Sequence, residues 1–480
     1  MTDVALVGRA QRSWSARSLD ERCREVRKVR DVFARYAQRI ADVVVAETKK
    51  SPTDAWFADV VPNLDLFDYW TTDGAKFLAP EPAAISQLKF PKKKGAIHYE
   101  PVGIVGLITP WNYPAALVLR TLVPALVAGN AVLLKASEFT PETAKLIASI
   151  FAEVLPPALV TVVEGAGEAG EFVVDNSDHI VFIGSVATGR KVAVRAAQRL
   201  VSVSLELGGK DAAVVLADCD LDRTVAGVFW GAMSNSGQNC AAIERCYVER
   251  SLYSTFVARL AALAATTPVA PVATAAQDAV IRAHLEDAVA RGATLHGSYP
   301  GPVILENVPE DALIATEETF GPVLPVWPVN SGFAGVETAN KSQYGLGTSI
   351  WTSDIGRAEA LAKIADCGVV TINNSACSGA MPFAPWSGRR HSGHGVTNSH
   401  LAMRELVRPK FVLTDRNTAP EVWWYPFDAE SIELAQATVG WLVSGGLDKA
   451  KRTLGLLSSM KKRVASQVRW MDGNRQLPGG

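Results

Sequence analysis

Two short segments carry the residue types for covalent acyl chemistry. Leu205-Glu206-Leu207-Gly208-Gly209-Lys210 sets a carboxylate beside a flexible diglycine, and Ser236-Gly237-Gln238-Asn239-Cys240 sets a thiol in a loop of small residues. A thiolate attacks carbonyl carbon, and a carboxylate can accept the proton that such chemistry must move. Glu206 and Cys240 stand 34 residues apart.

Other segments offer polar groups at useful places. In Thr109-Pro110-Trp111-Asn112-Tyr113-Pro114, two prolines fix the backbone around Asn112. Its amide can donate to a developing oxyanion, worth roughly 3 kcal/mol when pre-positioned; an Asn that merely caps a turn would leave the same trace. Gly184-Ser185-Val186-Ala187-Thr188-Gly189 directly follows an apolar run. A helix starting there has unpartnered N–H groups that attract phosphate, although a tight strand-to-helix turn calls for the same small residues. The full GxGxxG fingerprint is absent. Lys135-Ala136-Ser137-Glu138 follows another apolar run and puts long side chains within reach of ribose or phosphate, or else forms a solvated turn. Glu317-Glu318-Thr319-Phe320 reads on its own as a solvated acidic pair beside an aromatic residue. His391 and His394, with no cysteine nearby, are a poor ligand set, and no metal is expected.

The elements that must position these groups alternate. Val102–Ile108, Ala131–Leu134, Leu159–Val163, His179–Ile183 and Val201–Leu207 read as strands, with helical stretches at Ala115–Val127, from Pro141 to Leu155 and over Gly184–Arg199. Pro124 is expected to kink or end the first of these helices. Thr140-Pro141-Glu142 reads as an N-cap, a proline at the first helical position and an acid in the first turn. Strands spaced by helices predict βαβ units and a doubly wound parallel sheet that binds dinucleotides at its strand C-termini. Near the N-terminus, Ser18-Leu19-Asp20-Glu21 fits a capping box, and Val26, Val29, Phe33, Tyr36, Ile40 and Val44 form one apolar packing stripe.

Taken in order and spacing, these segments resemble the aldehyde dehydrogenase superfamily over roughly residues 15 to 415. The resemblance implies an α/β fold with a doubly wound cofactor domain (1–82 and 102–207), an α/β catalytic domain (208–402) and a small β oligomerisation element (83–101 and 403–415). It implies Cys240 as nucleophile, Glu206 as the base that activates water, and Asn112 with the Cys240 N–H as oxyanion donors. Trp111, Gly184, Ser185, Lys135, Glu138, Glu318 and Phe320 would bind the cofactor. Lys135 and Glu138 would hold the adenosine ribose, the Gly184-Ser185 turn the pyrophosphate, Glu318 the nicotinamide ribose, and Phe320 would pack near the ring. A carboxylate at Glu138 disfavours a 2′-phosphate, so NAD is expected ahead of NADP. The family's proline is Ala136 here, and both glycines of its Pro-Phe-Gly-Gly segment are replaced within Met381–Gly388. His391–Gly395 is similar to its Ser-Gly-(small) stretch. The interval from Cys240 to Glu318 is short for the family, consistent with a trimmed surface loop near Thr266–Ala276. A homodimer or homotetramer acting on a small aldehyde is implied. A coenzyme-A-acylating relative would not need Glu206; a cofactor-free cysteine hydrolase would want a histidine near Cys240; a non-catalytic structural protein would have no need of Cys240, Glu206 and Asn112 together.

Composition sets bounds. At 480 residues the chain is too long for one core. A net charge of −1 gives no nucleic-acid footprint. Six cysteines form no CxxC pair, which points to a reducing cytosol. Met1–Trp14 has no apolar leader core. The apolar stretch Val102–Leu134 is broken by Pro110, Asn112, Pro114, Arg120 and Pro124, so it reads as buried core. Residues 416–480 form an extension with an aromatic cluster, Trp423-Trp424-Tyr425-Pro426, and an apolar helical stretch from Ile432 to Leu457. The basic residues Lys449, Lys451, Arg452, Lys461, Lys462, Arg463 and Arg469 have no acid among them. Apolar and basic residues together fit either a helix lying on an anionic membrane surface or a helix that packs on its own subunit or a dimer partner with a solvated basic face.

Overall fold

The computed structural model of the protein describes residues 2–87 and 89–475, in two units. The first comprises Met1–Ala79 and His98–Lys410. It holds two sheets. One has the order Gly393–His394, Ser202–Glu206, His179–Ile183, Ile104–Ile108, Ala131–Lys135 and Val160–Val162, parallel except for the first short strand. Its central strands are wholly buried apolar runs, as a sheet covered by helices on both faces requires. Register aligns the C-terminal ends: Ile108 pairs with Lys135 and with Phe182, and Ile183 pairs with Glu206. Every segment that leaves this row of ends therefore emerges on one side.

The other sheet has the order Thr294–Gly297, Val303–Glu306, Val323–Val329, Ile243–Glu249, Asp211–Val215, Gly347–Trp351 and Val369–Ile372. The doubly wound α/β architecture expected from the alternation is present. Local details differ. The N-terminal apolar stripe is carried by two helices, Leu19–Arg35 and Ala37–Thr48, separated at Tyr36, and the Ser18–Glu21 capping box forms as read. Pro124 lies inside the helix Ala116–Ala128 without ending it; Gly129, at φ +98°, does that. Thr140 makes no side-chain cap. The Glu47 carboxylate accepts from the Glu142 and Thr143 N–H groups instead, at 2.7 and 2.9 Å.

The segment Thr109–Ala116 is held from below by a buried ion pair. Lys50 Nζ lies 2.8 Å from Asp59 Oδ2 with both side chains fully buried, and it donates to the Asn112 carbonyl at 2.7 Å. The other Asp59 oxygen accepts from the Ala115 and Ala116 N–H groups, each at 3.1 Å. Asp59 belongs to a π-helical turn, Ala55–Val60, which turns Phe57 outward while Asp59 points in.

The second unit comprises Pro80–Ile97 and Phe411–Gly480. Strand Glu81–Ala83 pairs antiparallel with Lys93–Pro101, which also neighbours Val407–Asp415 in a three-stranded sheet. Lys93 pairs with Asp415 at 2.9 Å and with Glu421, and Trp423 meets Phe90 edge-on at 6.2 Å. Helices Ala429–Val443 and Gly446–Arg475 pack on each other, with Lys462 2.8 Å from Glu433.

Lys50→Met would leave Asp59 buried without its counter-charge. A loss of about 3–5 kcal/mol is expected, read as a lower denaturant midpoint. A midpoint equal to that of the unmodified chain would show that the pair does not hold the segment.

Candidate active site

The thiol sits at the end of an unusual loop. After helix Leu221–Met233 the backbone passes through Asn235, Ser236 and Gly237 at φ +49°, +56° and +71°. Left-handed backbone is costly for residues with a Cβ and persists only where surroundings over-determine it. They do here. Asn235 Nδ2 donates to the carbonyls of Asn112 and Gln238, each at 3.1 Å. Gln238 Nε2 donates to the Asn235 carbonyl at 2.9 Å. Ser236 Oγ donates to the Ala270 carbonyl at 2.6 Å, and Gln238 Oε1 accepts from the Ala273 N–H at 2.8 Å. The stretch near Thr266–Ala276 is thus a direct brace of the cysteine loop. A Cβ at Gly237 would collide with the Gly321 carbonyl, so the loop also needs that glycine.

Asn112 is buried and donates from Nδ2 to the Gln238 carbonyl at 3.2 Å, while its Oδ1 has no partner. Glu206 ends its strand, 6 % exposed, with Oε1 unpartnered and Arg120 Nη1 3.6 Å from Oε2. Burial raises its pKa above the usual carboxylate value, and Arg120 opposes that rise. The Cys240 thiol is pushed up to about 12, by burial and then by the Glu206 charge, again against Arg120. Arg120 also donates to the Gly379 carbonyl at 2.9 Å and lies 5.6 Å from the Trp386 ring.

Two cavities meet at Cys240. One, of about 290 Å³, is lined by Trp111, Asn112, Gly184, Ser185, Glu206, Glu318 and Phe320. The other, of about 390 Å³, is lined by Phe57, Tyr113, Leu117, Trp230, Asn239, Pro382 and Trp386 among others. On the first side, Gly184 and Ser185 open the helix Val186–Gln198, whose N-cap is Ser185. Glu318 accepts from the Gly209 N–H at 3.0 Å and lies so close to Gly208 that a Cβ there would strike its carboxylate. Burial, then Glu244, pushes Glu318 up to about 8. Phe320, at φ +52°, meets Trp111 edge-on at 5.7 Å. Its segment hangs on Glu244, which accepts from the Thr319 and Phe320 N–H groups at 2.7 and 2.8 Å and is itself bonded by buried Lys210 at 2.5 Å.

Lys135 and Glu138 are not among the residues around the thiol. They pair with each other at 2.9 Å at the end of the neighbouring strand. Among the described residues no group of three or more His, Cys, Asp or Glu is placed to hold a metal. Cys246 is a fully buried core residue. Sequence reasoning passed over the roles of Arg120 and the Lys50–Asp59 pair. Arg120 had a signal, as the lone charge in the apolar run from Val102 to Leu134.

The chain is 35 % identical over 442 residues to a 4,4'-diapolycopene aldehyde oxidase of Methylomonas sp, covering 88 % of this chain and 83 % of the relative. It is 33 % identical over 430 residues to a putative succinate-semialdehyde dehydrogenase [NADP(+)] of Mycolicibacterium smegmatis, covering 85 % and 83 %. Among solved structures, betaine aldehyde dehydrogenase of Staphylococcus aureus in complex with NAD+ superposes with a TM-score of 0.82 at 27 % identity, covering 88 % of each chain. The NADP-dependent glyceraldehyde-3-phosphate dehydrogenase of Bacillus halodurans, complexed with NADP, gives 0.81 at 30 % identity, covering 86 % of this chain and 90 % of that one. With the family model for aldehyde dehydrogenases matching residues 4–412 and relatives of this kind along most of its length, the chain belongs to the aldehyde dehydrogenase family of oxidoreductases.

Proposed function

We propose that this enzyme oxidises an uncharged, apolar aldehyde to the carboxylic acid with NAD(P), through a thioester on Cys240. The observation that carries the reading is the position of the thiol where the two cavities meet, with Glu206 and Asn112 beside it on one side.

The residues of the 290 Å³ cavity fit a dinucleotide. A helix N-terminus opens onto it at Ser185, aromatic walls stand at Trp111 and Phe320, and Asn112 and Glu206 each keep a buried oxygen without a partner. In this reading the Gly184-Ser185 turn holds the pyrophosphate, Glu318 the nicotinamide ribose, and Lys135 with Glu138 the adenosine ribose. Glu138, half exposed, accepts from a 2′-hydroxyl and repels a 2′-phosphate, which favours NAD. When bound, the group takes up the hydride given up by the substrate carbon.

The remaining work belongs to the chain. Cys240 gives its proton to the Glu206 carboxylate, which releases it to solvent, and its sulfur forms a bond to the aldehyde carbon as the carbonyl electron pair moves to oxygen. The Asn112 amide and the Cys240 N–H hold that oxyanion. Once the carbon has lost its hydride, the C=O bond re-forms as a thioester. Glu206 takes a proton from water, which attacks the thioester and expels the Cys240 thiolate as the acid forms. A retained Glu206 argues for hydrolysis over acyl transfer to coenzyme A. We further place the protein in a reducing cytosol, on its six unpaired cysteines. We assign it a homodimer or homotetramer built on the three-stranded sheet, where Phe411, Val412 and Leu413 are exposed.

The substrate class follows from the larger cavity. Among the described residues Arg120 is its one lining cation, already engaged by Glu206, Gly379 and Trp386, and Asp54 adds a negative charge. A carboxylate or a phosphate on the substrate would find no free cation among them. The relative named for 4,4'-diapolycopene aldehyde accords with this choice.

Four measurements test the reading. Cys240→Ala should abolish cofactor reduction, whereas Glu206→Gln should give a single-turnover burst followed by a slow steady state. Normal steady-state turnover by Glu206→Gln would assign the base elsewhere. Arg120→Met removes the cation that lowers the Glu206 pKa, so the acid limb of the kcat profile should move to higher pH; an unmoved limb would separate Arg120 from the base. In assays with NAD and NADP in parallel, decanal should exceed succinic semialdehyde in kcat/KM by about 100-fold. The opposite order would overturn the substrate assignment.

A further inference from the structure

The C-terminal unit carries a surface that aldehyde oxidation does not use. Helix Gly446–Arg475 turns one side inward, where Ser459, Arg463, Ser466 and Gln467 are buried. Arg463 there donates to the Val422 carbonyl at 2.8 Å and pairs with Asp428 at 3.0 Å. The opposite side shows Leu447, Leu454, Leu457, Val464 and Val468, between 40 and 84 % exposed. Steps of seven, three, seven and four residues place these five on one face. Lys451 stands four residues after Leu447 and three before Leu454; Lys461 stands four after Leu457 and three before Val464. Both lysines are therefore in the stripe. Both are exposed, and among the described residues neither forms an ion pair with a carboxylate.

We propose that this face docks on an anionic lipid surface, with the helix lying in the plane of the membrane. The charge pattern selects that occupant. Between Leu447 and Val468 the stripe bears no acid, Asp472 standing one turn beyond it, so a second copy laid against that span would bring Lys451 and Lys461 of both chains together with no counter-charge. A bilayer rich in acidic headgroups answers both features. Leucine and valine side chains enter the boundary with the acyl chains, and lysine stems lie along it with their ammonium groups at the phosphates. No described helix is long and apolar enough to cross a membrane, so the contact is peripheral.

The test uses the full-length protein and vesicles of equal parts phosphatidylcholine and phosphatidylglycerol, against phosphatidylcholine alone, at low and high salt. Co-sedimentation should be strong only with the anionic vesicles at low salt. Lys451→Gln with Lys461→Gln should lower partitioning about thirty-fold. Leu454→Ser with Leu457→Ser should also release the protein while far-UV circular dichroism stays unchanged. Equal partitioning onto both vesicle types, or unaltered binding by both double variants, would overturn the proposal. So would a fall in oligomer mass of the leucine variant in sedimentation velocity without any vesicle binding by the parent, since that would give the face to a second copy. None of these readouts depends on catalysis, so failure here leaves the proposed reaction standing.

Discussion

Lys50 and Asp59 touch no cavity that reaches the thiol, yet the chemistry hangs on them. A lysine and an aspartate taken wholly out of water repay the desolvation only with near-perfect geometry and further hydrogen bonds. Those further bonds all go to one place. Lys50 reaches the Asn112 carbonyl, and Asp59 reaches the Ala115 and Ala116 N–H groups. The strand-to-helix segment that carries Asn112 is therefore clamped at both ends by two charges with no other outlet. The same carbonyl accepts from Asn235, so the clamp extends through one atom to the segment that carries Cys240.

A second buried pair does for the other wall what the first does for this one. Lys210 and Glu244 lie between the diglycine and the Thr319-Phe320 backbone, and Glu244 spends its oxygens on those two N–H groups. Phe320 is held in left-handed backbone by that contact, which aims its ring at Trp111. Both walls thus follow one design. A short turn that lines the cavity is pinned by a buried ion pair whose hydrogen bonds go largely to the turn's own main chain.

How much of this was legible depends on range. The row of strand ends was legible because buried parallel strands announce themselves as apolar runs, and whatever follows such a run lands at the sheet's C-terminal edge. Glu206, Asn112, Gly184 and Ser185 were found that way, and Cys240 by its loop of small residues. Lys50, Asp59 and Glu244 left no such trace: their partners are backbone atoms of distant segments, and a buried charge looks in sequence like any surface charge. The capping of helix Pro141–Ala152 by Glu47 rather than Thr140 is the same lesson on a smaller scale. Arg120 is intermediate, since one cation inside an apolar run has to be answered by a buried partner, and the sequence shows the question without the answer.

The burial that raises the thiol also governs its durability. Peroxides and alkylating agents react with thiolate, and the rate of loss follows the thiolate fraction and access. With Cys240 pushed up to about 12 by burial and by Glu206, the neutral thiol is the favoured form at the junction of the two cavities. The burial that keeps the proton on this sulfur therefore also shields it from oxidation, and a thiol held in this way is chemically quiet toward such reagents.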